Sequence, residues 1–180
     1  MDILHHHRPD DTDPAPEAGH TEGHTEEHAE GSTARYDEGH AAPSSTAIDV
    51  PSAPEPVGLY PHARRVGNLL FLSGVGPRVR GSKDIPGVTR DPAGNVVDHD
   101  IEAQCRSVFA NVRAILEEAG SDWSKLVDVT VFLTDMQRDF AIYNRVYAEY
   151  FHDNQPCRTT VEISALPTPI AIELKCIAVV

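Results

Sequence analysis

The chain has 180 residues, with 28 acidic against 15 basic side chains and a formal net charge of −13. So acidic a chain, with no Lys/Arg cluster, lacks the electrostatic footprint that phosphate backbones and anionic membranes attract, which argues against nucleic acid and membranes as partners. No stretch approaches about 18 consecutive apolar residues and no apolar run follows the N-terminal charges, so neither a membrane span nor a secretory signal is expected, and the cytoplasm is the default compartment. Cys105, Cys157 and Cys176 have neither an even count nor CxxC spacing and are expected to be free thiols.

The charge is unevenly placed. Residues 1–57 carry 13 acidic side chains against Arg8 and Arg35, together with seven of the ten His, while residues 58–180 carry 15 acidic against 13 basic. With hardly any large apolar side chains beyond Ile3, Leu4 and Ile48, the first 57 residues cannot offset their ordering entropy and read as a disordered acidic, His-rich extension. His20, His24 and His28 stand four apart, a spacing that would line one helix face for a divalent metal. Gly19, Gly23 and Gly31 oppose a stable helix, which favours loose metal binding over an ordered site. Residues 58–180 suffice for one domain with one core.

In chain order, VGNLLFLSGVG over 66–76 pairs a Gly-Asn turn with the apolar run Leu69–Leu72 and reads as a hairpin. From Arg78 to Asp98 the chain is polar and rich in Gly and Pro, consistent with a long excursion holding a small turn at 92–95. Ile101, Cys105, Val108, Phe109, Val112, Ile115 and Leu116 keep a 3.6-residue period, and Gly120 supplies the stop of that helix. Val127, Val129, Val131 and Leu133 alternate as a strand. Asp135 or Asp139 can cap a second helix whose stripe Phe140, Tyr143, Tyr147, Tyr150 and Phe151 reads as core rather than a cofactor box. Arg158–Ser164 and Ile170–Val179 read as two further strands. The order ββ-α-β-α-ββ gives an α+β fold in which two helices cover one face of a mixed sheet. The other face, apolar in several strands, then needs another subunit, and a homo-oligomer is expected.

No nucleophile elbow, phosphate-cradling glycine loop or zinc spacing stands out. What remains is a set of lone polar groups: Tyr60 and His62 before the first strand, Ser73 ending the second, Asn144 inside the aromatic helix, Arg158 opening a strand, and Glu173 amid an apolar one. Each also has an ordinary structural reading: a surface salt bridge for Arg158, a solvent-facing strand position for Glu173, core hydrogen bonding for Tyr60, Ser73 and Asn144, and a turn histidine for His62.

Three stretches, GLYPHARRVGNLLFLSGVGP, IEAQCRSVFANVRAILEEAGSDWSKLVDVTVFLTDMQRDFAIYNRVYAEYF and QPCRTTVEISALPTPIAIELKCIAV, resemble the RidA/YjgF imine-deaminase family over residues 57–180. Within it, YPHARRVG at 60–67, PGVTRDPAGNVVDHDI at 86–101 and CRTTVE at 157–162 are most similar to the branch that deaminates 2-aminomuconate. The resemblance implies a chorismate-mutase-like protomer forming a barrel-like homotrimer with sites between subunits, acting on a small-molecule imine or enamine without metal or organic cofactor. It makes Arg158 the carboxylate-binding arginine, whose guanidinium offers two parallel donors, and Glu173 the residue that positions or activates water. Tyr60, Ser73 and Asn144 fall on pocket-lining positions. Thr160 replaces a cysteine common in the family, which puts generic 2-imino-acid activity in question and suits the aminomuconate branch. His62 is a candidate for the second substrate carboxylate or proton transfer, and Arg64, Arg65, Arg78 and Arg80 are candidates for the distal carboxylate.

The expected reaction converts 2-aminomuconate to the 2-keto diacid and ammonia. Three alternatives stand beside it: a general 2-imino-acid deaminase, a non-catalytic ligand-binding or chaperone-like trimer, and a metal buffer acting through the His-rich extension.

Overall fold

The computed structural model describes residues 44–180. The expected disorder of the extension and its His20/His24/His28 spacing lie outside the described residues. Within them, β1 (Ser45–Ile48), β2 (Ala63–Val66), β3 (Leu69–Leu72), β6 (Leu126–Leu133), β7 (Cys157–Glu162) and β8 (Ile172–Val179) form one sheet, in the order β1-β2-β3-β8-β6-β7. Only the β6–β7 pair is parallel, with α2 (Met136–Tyr150) as its crossover. A separate hairpin, β4 (Val88–Arg90) with β5 (Val96–His99), precedes α1 (Ile101–Glu118).

The ends of these elements follow local chemistry. Gly67, at φ +59°, makes the β2–β3 turn with Asn68. Asp100 caps α1 by accepting from the Glu102 and Ala103 amides, and Gly120 at φ +81° lets Ser121 N close back onto Leu116 O at 2.8 Å. Asp135 caps α2 by accepting from Arg138 N, which decides between the two candidate caps; Asp139 is fully buried instead.

The structure adds two features to the sequence reading. Residues 45–57, placed in the extension by composition, join the fold: β1 pairs antiparallel with β2, and Val50 and Ala53 are buried. The polar excursion contains a hairpin, turned by Asp91, whose carboxylate accepts from the amides of Ala93 and Asn95. Polar residues concealed both, because each is held by side-chain and backbone hydrogen bonds more than by apolar burial.

The core lies between the helices and one sheet face. Leu70, Leu72, Val129, Val131, Leu133, Ile172, Leu174 and Cys176 from the sheet are buried against Cys105, Val108, Phe109, Val112 and Leu116 of α1 and Tyr143 and Val146 of α2. Burial pushes the thiols of Cys105 and Cys176 up to about 12, so both are inert packing groups. Aromatic rings close one end: Tyr147 stacks on Phe151 at 4.0 Å, and Phe109 meets Trp123 and Phe151 edge-on at 5.8 Å. The opposite sheet face carries Leu69, Phe71, Phe132, Val161, Ile177 and Val179, all partly or largely exposed and covered by no helix among the described residues.

Candidate functional site

Glu173 lies on the uncovered face of β8, paired across β6 with Phe132 and flanked in sequence by the buried Ile172 and Leu174. It opens into a cleft shared with Tyr60, Ser73, Gly74, Arg78, Pro167 and Lys175. Partial burial raises the Glu173 carboxyl above its ordinary range, and the nearby Arg78 guanidinium counteracts part of that shift. The carboxylate sits directly over Gly74, where any Cβ would collide with it. The Ser73 hydroxyl donates to Pro61 O at 2.6 Å and keeps its lone pairs for another donor. The Tyr60 hydroxyl accepts from Val57 N at 3.3 Å.

Arg158 stands elsewhere. It pairs with Val129 of β6, whose side chain is buried on the helix side, so Arg158 projects from the edge strand toward α2. There its Nη1 donates to Asn144 Oδ1 at 2.9 Å, and its guanidinium lies 4.6 Å from the Tyr147 ring centroid and 5.6 Å from that of Tyr143. Cation–π contacts and the amide fix the head group while leaving most of its donors free. Thr160 follows on the same side, its hydroxyl buried without a partner among the described residues, as are those of Tyr143 and Tyr147.

Cys176 is the β8 residue level with Val129 and hence with Arg158, so Glu173 is three residues along and two strands across. That is roughly 10 Å in each direction, and the two side chains leave opposite faces of the sheet. Among the described residues no three His, Cys, Asp or Glu side chains converge as metal ligands, and no helix is long and apolar enough to cross a membrane.

The Endoribonuclease L-PSP family model matches residues 50–180. The chain belongs to this family. It is 42% identical over 127 residues to a RutC family protein of Pyrococcus abyssi, covering 70% of this chain and 90% of that protein. It is 34% identical over 131 residues to the chloroplastic Reactive Intermediate Deaminase A of Arabidopsis thaliana, covering 73% of this chain and 64% of that one. Among solved structures, E. coli TdcF with bound serine superposes with a TM-score of 0.64 at 30% identity, covering 75% of this chain and 98% of that one.

Against this L-PSP fold the residues singled out by sequence separate into two groups. Tyr60, Ser73 and Glu173 share the cleft, whereas Arg158, Asn144 and Thr160 gather beside α2. His62 lines a hollow that adjoins the cleft at Tyr60, Ser73 and Gly74, but both ring nitrogens are engaged: Nδ1 accepts from Val50 N at 3.0 Å and Nε2 donates to Pro54 O at 3.1 Å. Because Nδ1 is an acceptor here, Asp49 at 3.9 Å makes no ion pair with a neutral ring. His62 therefore staples residues 50–54 onto the domain. Gly74, Lys175, Tyr143 and Tyr147 were not singled out as site residues. A Cβ-free position beside a carboxylate leaves no mark in a pattern of apolar residues, and the two tyrosines read as core because one side of each ring is core.

Proposed function

We propose that this L-PSP family chain is a deaminase that hydrolyses 2-imino acids and their enamine tautomers to 2-oxo acids and ammonia, in sites shared between copies of a homotrimer. The observation that carries this reading is the pairing of a raised carboxyl in a cleft with a braced, unneutralised arginine on the other sheet face. Similarity to a Reactive Intermediate Deaminase supports it. Arg158 of one copy holds the substrate carboxylate through charge-assisted bonds worth about 1.5–3 kcal/mol each. Glu173 of a neighbouring copy takes a proton from water as its oxygen adds to the imine carbon. That proton reaches the nitrogen to give the carbinolamine, the same carboxylate then passes the carbinolamine hydroxyl proton to the nitrogen as the C–N bond breaks and the C=O bond forms, and ammonia leaves the 2-oxo acid. An imine is already electrophilic, so orientation and one proton relay suffice for the chemistry.

Within this class, 2-aminomuconate is the substrate favoured by the stretches at 60–67, 86–101 and 157–162, with Thr160 where many family members carry cysteine. The test is Arg158→Ala: imine consumption should fall by about 10²–10⁴, the equivalent of losing two charge-assisted bonds, with the oligomer intact on gel filtration. Undiminished turnover in that variant would end the proposal, and a wild-type protein that binds 2-oxo acids without turnover would make it a ligand-binding module instead.

A further inference from the structure

Four arginines near the cleft are chemically able to take a second substrate carboxylate, and their surroundings separate them. Arg64 donates to Ser45 Oγ at 2.5 Å and Arg65 to Gly67 O at 2.9 Å, and neither lines the cleft. Arg80 turns to Ala53 O and to the Glu55 carboxylate, 3.2 and 3.6 Å away. Arg78 lines both the cleft that holds Glu173 and Lys175 and the adjoining hollow lined by His62 and Ile115.

Arg78 is also braced. Asn111 of α1 donates to the carbonyls of Gly76 and Arg78 at 2.9 and 2.8 Å, which fixes the main chain that carries it. Its Nη2 donates to Glu55 O at 2.7 Å. Among the described residues no carboxylate lies within ion-pair distance of it, since that of Glu55 goes to Arg80. One guanidinium edge is anchored and the other donors are open to the cleft. Lys175, two residues from Glu173, reaches Leu72 O at 3.4 Å and no other acceptor among the described residues. Among the described residues neither Arg78 nor Lys175 forms an ion pair, although Arg78 acts on the Glu173 carboxyl at longer range, so the cleft holds two cations against one carboxylate before Arg158 of another copy contributes a third. That excess suits a substrate with two negative groups.

We propose that Arg78 is a specificity residue that binds a second, distal carboxylate, so that the preferred substrates are imines of dicarboxylic acids. This rests on the deaminase reading above. Arg78 is favoured over Lys175 because a braced planar fork matches a carboxylate with less ordering cost than a flexible ammonium.

The test compares kcat/KM for 2-iminoglutarate and 2-iminobutanoate, each generated in situ from its amino acid and followed as loss of imine. Wild type should prefer the diacid by about tenfold or more, the loss expected when a charge-assisted pair is missing. Arg78→Gln should bring that ratio to within about threefold of unity, Arg78→Lys should retain an intermediate ratio, and Lys175→Met should retain most of it. A wild-type ratio near one, an unchanged ratio in Arg78→Gln, or a collapse confined to Lys175→Met overturns the assignment. Calorimetry with the unreactive 2-oxoglutarate and 2-oxobutanoate separates this claim from the deaminase reading. Tighter binding of the diacid that Arg78→Gln abolishes supports the assignment even without turnover, and equal binding of the two acids by wild type refutes it.

Discussion

Arg158 and Glu173 point away from each other through the same sheet, Arg158 toward α2 beside Asn144 and Glu173 into the cleft on the uncovered face. With roughly 10 Å along and 10 Å across the strands between them, one protomer cannot present both to one small substrate. The uncovered face itself, with Leu69, Phe71, Phe132 and Val161 partly exposed, is the surface that a second copy would cover.

Gly74 sets the position of the Glu173 carboxylate. In Gly74→Ala the new methyl overlaps that carboxylate, and the flexible end of Glu173 must yield because the backbone around it is paired: Val75 N and O both bond Leu174. kcat/KM should fall by about tenfold or more, as expected when a general base is misplaced, with a melting temperature near that of wild type. Wild-type activity in this variant would show that Glu173 is not poised where Gly74 allows.

The raised Glu173 carboxyl has consequences for rate and for stability. As a base it acts only when ionised, so the acid limb of kcat/KM should lie above the ordinary value of 4.5 and vanish in Glu173→Gln, whose activity should be about 10²–10⁴ lower. For stability the sign is the reverse. Below about pH 4.5 folded and unfolded chains are both protonated and nothing is lost; as pH rises through the raised folded value, the folded state must ionise a partly desolvated group and that stability disappears. Glu173→Gln should therefore melt higher than wild type at neutral pH, by about 1 °C or more, and at the same temperature near pH 4. Thermal scans at the two pH values check this.

Asp139 is fully buried in the first turn of α2 and accepts from His99 Nε2 at 2.8 Å, with Arg138 Nε 3.6 Å from its other oxygen. The pair fastens the end of β5 to the helix that braces Arg158. His99→Ala leaves the buried carboxylate with Arg138 alone, at 3.6 Å, and should cost about 1–3 kcal/mol in urea unfolding. Adding Asp139→Asn should recover part of that loss, since that buried charge is gone. Equal losses in the single and double variants would mean that His99 contributes packing alone.

The helices and central strands were legible because each buries one face: the 3.6-residue period from Ile101 to Leu116 and the alternation from Val129 to Leu133 state that burial directly, whereas Val127, expected to continue it, is turned out by an irregularity between Leu126 and Asp128 that buries Leu126 instead. β1 and the β4–β5 hairpin were not, since Ser45, Thr46, Val88 and Thr89 join the fold through backbone ladders that polar and small residues form equally well. The candidate site was legible only as isolated polar residues. Nothing in their spacing tells which sheet face each leaves, so the sequence assigned Arg158 and Glu173 to one mechanism without placing them, and in the protomer they leave opposite faces. Arg78 could not be told from Arg64, Arg65 and Arg80 until the Glu55 carboxylate was seen to bind Arg80.

Subunit complementation tests the shared site most directly. Arg158→Ala and Glu173→Gln are each expected to be nearly inactive as pure proteins. A random mixture of trimers assembled from equal amounts of the two, by co-expression or refolding together, should regain about a quarter of wild-type activity, because about one interface in four across that population then draws an intact Arg158 and an intact Glu173 from different copies. Mixed oligomers with no more activity than the separate variants would contradict the account.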